Sequence, residues 1–150
     1  MATQDTALSE DLLHSWLRFS LSVRTEKVLK ELPFKEALVY DYLYKATEEN
    51  PECHITATQL CREFKMQKPQ MTATLQRMEE KGYITRQRSS EDRRQVFVVL
   101  KESRISAFRA ERAEVSRVLN EVIERYGAHR VPELIAMFNE LSDITEELLP

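Results

Sequence analysis

A mainly α-helical chain carrying one two-stranded hairpin is the fold this sequence predicts, and three observations predict it. Only two glycines, Gly82 and Gly127, stand in 150 residues, so tight turns are few and helices long. Apolar residues recur three and four apart on both sides of a central stretch, which is the period of a helix face. In that central stretch the pattern changes. Glu79-Glu80-Lys81-Gly82-Tyr83-Ile84-Thr85-Arg86 reads as a helix end, a glycine stop and a short strand. Ser89-Ser90-Glu91-Asp92-Arg93-Arg94 then makes a tight basic turn into a second strand.

Residues 1–7 are polar and read as a frayed start. Ser9-Glu10-Asp11 opens the first helix, with carboxylates at the positive end of its dipole. Leu8, Leu12, Trp16, Phe19 and Val23 stand four, four, three and four apart and share one face, which Leu13 and Leu17 widen. This helix is predicted to end near Leu32. Pro33 fits the first turn of the next helix, where its missing N–H costs nothing. Phe34, Ala37, Leu38, Tyr42 and Leu43 are that helix's predicted buried side. Asn50-Pro51 marks a loop. Thr56, with Gln59 three residues on, makes a capping box for a short third helix faced by Ala57, Leu60, Cys61 and Phe64. A fourth helix is predicted from Lys68 to Lys81, with Pro69 in its first turn and Met71, Leu75 and Met78 facing inward. Gly82 takes the position after it, where a left-handed backbone suits glycine. Tyr83–Arg88 and Gln95–Leu100 are the strands. A long helix then runs to about Tyr126, about 39 Å at 1.5 Å per residue. Ile105, Phe108, Val115, Val118, Leu119, Val122, Ile123 and Tyr126 make its stripe, and Gly127 ends it. Val131, Leu134, Ile135, Phe138, Leu141, Ile144 and Leu148 mark a final helix.

That order is a winged helix-turn-helix over residues 33–102, flanked by long N- and C-terminal helices. The flanks, 1–32 with 103–150, carry more apolar stripe than the surface of a small monomer needs. They are read as dimerisation helices that pack on each other and on a second copy, within a single chain-wide fold.

Composition narrows the function. The chain is 42% hydrophobic, enough for a real core, and its longest apolar run is Val96–Leu100, far short of a membrane span. No basic start leads an apolar segment, as a secretion signal would. Cys53 and Cys61 make no disulfide framework. A cytoplasmic protein is the expectation. No phosphate loop, nucleophile elbow or metal triad is present, so no enzyme, cofactor or metal is expected. Net charge is −3, yet Lys65–Arg104 holds ten Lys/Arg against five Asp/Glu, a balance of +5. The remainder carries −8. A basic middle between acidic flanks concentrates attraction for phosphate in one place.

The predicted fourth helix turns Gln67, Lys68, Gln70, Thr72, Ala73, Gln76 and Arg77 outward. Glutamine pairs bidentately with adenine, lysine reaches guanine acceptors or phosphate, and a small alanine admits a thymine methyl. The same residues suit an ordinary solvated face; the basic hairpin next to them favours DNA. Arg86, Arg88, Arg93 and Arg94 converge on that hairpin. In extended chain Asp92 and Arg94 point the same way, so Asp92 can hold Arg94 for entry into a narrow minor groove. The plain alternative is a surface ion pair worth under about 1 kcal/mol.

The run Gln67–Arg86 with Glu91-Asp92-Arg93-Arg94 and the Val96–Leu100 strand resembles the MarR family of bacterial transcription regulators. The shared pattern is Glu-Glu-Lys-Gly, two apolar residues, one variable residue and Arg, then Asp-x-Arg in the wing. The element order is similar over nearly the whole chain, and the motif covers about residues 66–100. The resemblance implies a dimeric winged-helix DNA binder, a repressor released by a small ligand or by oxidation. It makes Arg94 the wing arginine and Asp92 its partner. Gln67 and Pro69 stand where the family often carries serine, and Ala73 where arginine is frequent, so no operator sequence carries over. The usual Leu-Thr after the second strand is Leu100-Lys101, with Ser103 as the substitute cap.

Weaker signals remain. Cys53 beside His54 and Cys61 beside Arg62 are candidate redox sensors, although Cys61 lies on an apolar helix face and suits the core. His14 lies four residues after Glu10, but His54 and His129 are distant, so zinc sensing is not favoured. Trp16, Phe19 and Tyr40 are candidates to line a small-ligand crevice, as ordinary packing also explains. The predicted function is a dimeric, sequence-specific regulator binding a pseudo-palindromic operator, with two Lys68–Lys81 helices about 34 Å apart in successive major grooves. The alternative is a winged-helix protein-interaction module without specific DNA binding.

Overall fold

The computed structural model of the chain describes residues 2–22, 32–90, 92 and 94–149. Two compact units divide it, Met1–Glu111 and Arg112–Pro150. The first contains helices α1 (Ala2–Ser22), α2 (Phe34–Glu49), α3 (Ala57–Glu63) and α4 (Lys68–Glu80), then strands β1 (Ile84–Arg88) and β2 (Val96–Leu100). Helix α5 (Glu102–Tyr126) starts in the first unit and ends in the second, which also holds a short 3-10 turn (Ala128–Arg130) and α6 (Val131–Leu148). This is the expected mainly helical, winged arrangement.

Local sequence explains most of the first unit. Thr56 caps α3 by accepting from Gln59 N–H, and the Gln59 side chain accepts from Thr56 N–H, the reciprocal box predicted. Pro69 sits in the first turn of α4, and Met71, Leu75 and Met78 are buried. Helix α4 stops at Gly82, whose φ of +76° lets Gly82 N–H reach Glu79 O and Tyr83 N–H reach Met78 O. Those two bonds satisfy carbonyls that a helix end leaves open. The following residue, Tyr83, is buried and leads straight into β1. Strands β1 and β2 pair antiparallel with Ile84 opposite Leu100 and Arg88 opposite Val96. On its other edge β2 takes a bridge from Thr56 to Phe97 and a 2.8 Å bond from Val98 N–H to Ile55 O. The wing is thereby tied to the start of α3 as well as to the end of α4.

The core joins Val39, Tyr40, Leu43 and Tyr44 of α2 to Leu60, to the inner face of α4, to Ile84 and Val98, and to Phe108 of α5. Tyr40 meets Tyr83 edge-on at 5.7 Å and Phe108 at 4.4 Å, geometries that aromatic quadrupoles favour.

Three expectations change. Helix α2 buries Glu36, Ala37, Val39, Tyr40, Leu43 and Tyr44, while Phe34 and Leu38 are exposed and Tyr42 is half-buried. The helix has apolar residues on more than one side, and the buried side is the one carrying a carboxylate that finds cations. Helix α1 begins at Ala2, a full two turns before Ser9. Its predicted end near Leu32 and the position of Val23 lie outside the described residues. Ser103 falls inside the first turn of α5 and not at its cap; Lys101 N–H bonds instead to Tyr83 O.

Each unit leaves apolar surface bare. In α1, Leu8, Leu12, Trp16 and Phe19 are exposed; in α6, Ile135, Phe138, Leu141 and Ile144 are exposed. No described helix is long and apolar enough to cross a membrane.

Gly82→Ala tests the helix stop. An added Cβ would meet nothing within 4 Å, so the cost is confined to the left-handed backbone. The expected loss is about 1–2 kcal/mol, read by urea denaturation. A variant as stable as the parent would show that α4 need not end this way.

Candidate nucleic-acid interface

The outward side of α4 is where the sequence places it. Gln67, Lys68, Gln70, Thr72, Ala73, Gln76 and Arg77 are all exposed. Their availability differs. Thr72 Oγ1 donates to Lys68 O at 2.8 Å, and Gln76 Nε2 donates to Glu80 Oε1 at 3.0 Å, so both are partly committed within the helix. Arg77 turns back toward the protein. Its Nε donates to Glu36 Oε1 at 2.8 Å, and Lys81 Nζ donates to Glu36 Oε2 at the same distance.

Glu36 is 1% exposed, while Arg77 and Lys81 keep half and about two-fifths of their side chains in solvent. Burial alone pushes a carboxyl pKa up; the hydrogen bonds from Lys81 and Arg77 outweigh it and hold Glu36 below its ordinary value. A buried anion with both oxygens satisfied by cations is the arrangement that offsets desolvation. It pins the C-terminal half of α4 to α2. Arg77 was expected to face DNA; its guanidinium serves this clamp, and its NH2 also reaches Thr74 Oγ1 at 3.4 Å.

The hairpin divides in the same way. Arg86 is held by Glu79, which accepts from Arg86 N–H at 3.0 Å, from Nε at 2.8 Å and pairs with a terminal nitrogen at 2.6 Å. The Arg86 side chain, then its backbone N–H, draw the Glu79 pKa down. Arg88 is exposed and shows no partner among the described residues. Asp92 does engage Arg94, but through the main chain: its Oδ1 accepts Arg94 N–H at 2.9 Å. The turn closes with Ser89 N–H to Gln95 O, Gln95 N–H to Asp92 O, and Asp92 N–H to Ser89 Oγ. Asp92 thus fixes the backbone that presents Arg94 and leaves the guanidinium open. Arg93 lies outside the described residues.

Between wing and helix runs a groove of about 550 Å³ lined by His54, Thr58, Arg62, Lys68 and Arg94, with no acidic residue among its lining. The sequence assigns none of Arg62, Thr58 and His54 to this surface; Arg62 and His54 stand out there only as neighbours of the two cysteines. The one signal for them was the spacing of Thr58 and Arg62, four apart and so on one helix face.

The ligand candidates separate. Trp16 and Phe19 stand on the exposed face of α1. Tyr40 is closed in the core at 0% exposure, and burial pushes its phenol pKa up to about 12. Its ring is packing, not the wall of an open crevice. Cys53 and Cys61 are both half-buried thiols, and Cys61 packs on the core. Among the described residues no group of three or more His, Cys, Asp and Glu is placed to hold a metal ion.

Residues 45–95, from the end of α2 to the wing turn, match the sequence model of the MarR family. No curated protein matches the chain significantly. Solved structures share the winged-helix fold along nearly the whole chain. FabT of Streptococcus pneumoniae in complex with DNA is 20% identical, with a TM-score of 0.70 over 95% of this chain and 99% of that one. Reduced AbfR bound to DNA is 22% identical, with a TM-score of 0.68 over 97% and 98%. The transcription regulator MarR from Oenococcus oeni PSU-1 is 22% identical, with a TM-score of 0.63 over 91% and 98%. The resemblance read from residues 67–100 is borne out, as is the fold class.

Glu36→Gln isolates the clamp. Charge-assisted bonds become neutral ones, so the expected loss is about 1–3 kcal/mol in denaturant unfolding. The pH dependence has a definite sign. The folded carboxyl titrates below its unfolded value, so its contribution is present above the unfolded pKa and is lost as pH falls through the folded one. The variant should therefore lose less stability on acidification than the parent. Parallel acid limbs for both proteins would show that Glu36 carries no such linkage.

Proposed function

With residues 45–95 matching the MarR family and the winged-helix fold shared along the chain, we propose that this protein is a dimeric, sequence-specific DNA-binding transcription regulator, a repressor of the bacterial cytoplasm. The observation that carries the reading is the placement of uncommitted cations. Lys68 at the start of α4 and Arg94 on the wing face one groove that has no acid in its lining, in a chain whose net charge is −3. Such a surface attracts phosphate while the acidic remainder discourages loose association. Gln67, Gln70, Thr72, Ala73 and Gln76 on the exposed face of α4 are the base-reading candidates in a major groove. Arg94, with its backbone fixed by Asp92, is the minor-groove arginine. Arg88 and Arg93 are assigned to phosphates beside it. Arg77 and Arg86 act by positioning, since Glu36 and Glu79 already engage them.

The exposed apolar residues of α1 and α6 support a homodimer, for apolar surface of this kind favours burial against a second copy. Residues 1–32 with 103–150 form its dimerisation region, and 33–102 the DNA-binding lobe. A small-molecule effector would act by stabilising a dimer whose two α4 helices are wrongly spaced. Trp16 and Phe19 are the exposed aromatic side chains of α1.

Selection of bound duplexes from a random library should return a pseudo-palindrome with half-sites about one helical turn apart. Binding should weaken steeply with salt. Weak binding with a flat salt response would instead leave a protein-interaction module.

Arg94→Ala should cost about 1–3 kcal/mol in operator affinity while the dimer persists in sedimentation. An unchanged mobility shift would remove the wing contact. Ile135→Asp places a charge on the exposed face of α6 and should yield monomers by ultracentrifugation, with operator binding lost. A stable dimer of that variant would exclude this face from the interface.

A further inference from the structure

The site cations fall into two sets, and the division has a use. Arg77 and Lys81 share the carboxylate of Glu36, and Arg86 is paired with Glu79. Arg62, Lys68 and Arg94 have no side-chain partner among the described residues, yet all three line the same groove. Like charges gathered without an anion repel one another, so the groove suits an anion from outside.

The groove is also built rather than incidental. Thr58 and Arg62 lie four apart on α3, whose start is fixed by the Thr56–Gln59 box. Thr56 bridges Phe97 of β2, and Ile55 O accepts from Val98 N–H at 2.8 Å. The His54 ring packs on Phe97 at 4.7 Å. The floor and both walls are therefore tied together before any ligand arrives, which lowers the ordering cost of binding.

Its place between two elements suggests the occupant. Adjacent major and minor grooves of a duplex are separated by one sugar-phosphate strand. If α4 enters the major groove and the wing the minor groove, that strand must cross the surface between them. We propose that this groove is a phosphodiester seat, in which Arg62, Thr58 and Lys68, with Arg94 at the wing side, hold the strand that divides the two grooves. The proposal rests on the DNA-binding reading and extends it to α3, to which no contact is assigned above. Arg62 is its central residue. It carries no base information and sets register and affinity on any duplex.

The test compares wild type, Arg62→Ala and Arg62→Lys on the selected operator and on a random duplex across a salt series. Arg62 is exposed and without a partner among the described residues, so its removal should leave the melting curve unchanged. Arg62→Ala should weaken both duplexes by the same factor and flatten the plot of log K against log salt by about 0.9. The gap to wild type then narrows roughly threefold between 50 and 200 mM salt. Arg62→Lys should recover most of the slope. Wild-type operator binding with Arg62→Ala unchanged would overturn the seat alone. So would a loss confined to the operator at constant slope, which would make Arg62 a base reader. Saturation of the Arg62 side-chain resonance by inorganic phosphate alone at submillimolar concentration, with operator binding unaffected by Arg62→Ala, would make the groove a free-anion site and also overturn it. A wild type that binds no duplex would fail the regulator reading itself, and the seat with it.

Discussion

One buried carboxylate decides how α4 is held. Glu36 lies inside the lobe with a cation on each oxygen, one from the last turn of α4 and one from the residue that caps it. The cost of burying the charge falls mainly on Glu36, because Arg77 and Lys81 keep much of their surface in water. The apolar contacts of Met71, Leu75 and Met78 would hold α4 against the core by area alone, but area is not directional. Two charge-assisted bonds fix rotation of the helix about its own axis, and with it which side chains face out. The exposed row from Gln67 to Gln76 faces outward because Arg77 and Lys81 are drawn in.

A second constraint carries that orientation into the wing. Glu79 binds both the backbone and the guanidinium of Arg86, while Gly82 turns the chain between them. From β1 the fixing passes to β2, then through Ile55 and Thr56 to α3, and through Leu60 back to the core. Helix, wing and short helix form a closed circuit of contacts. A circuit of this kind holds the relative position of Lys68, Arg62 and Arg94 although none of their side chains has a partner among the described residues. The lobe thus commits the cations near the end of α4 to structure and keeps those near its start free for a ligand.

What the sequence could reveal follows the range of the interactions. The glycine stop and the capping box depend on residues within about five positions of one another, and the inner face of α4 and the strand pair on residues no further apart than Ile84 and Leu100; all are legible. The clamp is not, for Glu36 lies 41 residues from Arg77 and 45 from Lys81. Hydrophobic spacing in α2 therefore selected Phe34 and Leu38, which are exposed, and passed over Val39, Tyr40 and Tyr44. The same range effect made Arg77 and Arg86 look like free contacts and hid Arg62, whose role depends on a wing more than thirty residues away. Residue type signalled charge correctly and left open whether that charge was already spent.

The exposed apolar faces of α1 and α6 set the scale at which the proposed regulation would act. One lobe offers a single helix and a single wing, few contacts for selecting one site among many. In the proposed dimer the second lobe binds at high effective concentration, so affinity rises without any new contact within either lobe. That gain vanishes when the two α4 helices cannot reach successive major grooves together. Because the circuit of contacts makes each lobe stiff, the spacing in the proposed dimer would be set at the flanking helices and not inside the lobe. An effector therefore need not touch Lys68, Arg62 or Arg94. It has only to bind one dimer geometry more tightly than another, and the difference between those affinities is the most it can remove from operator binding.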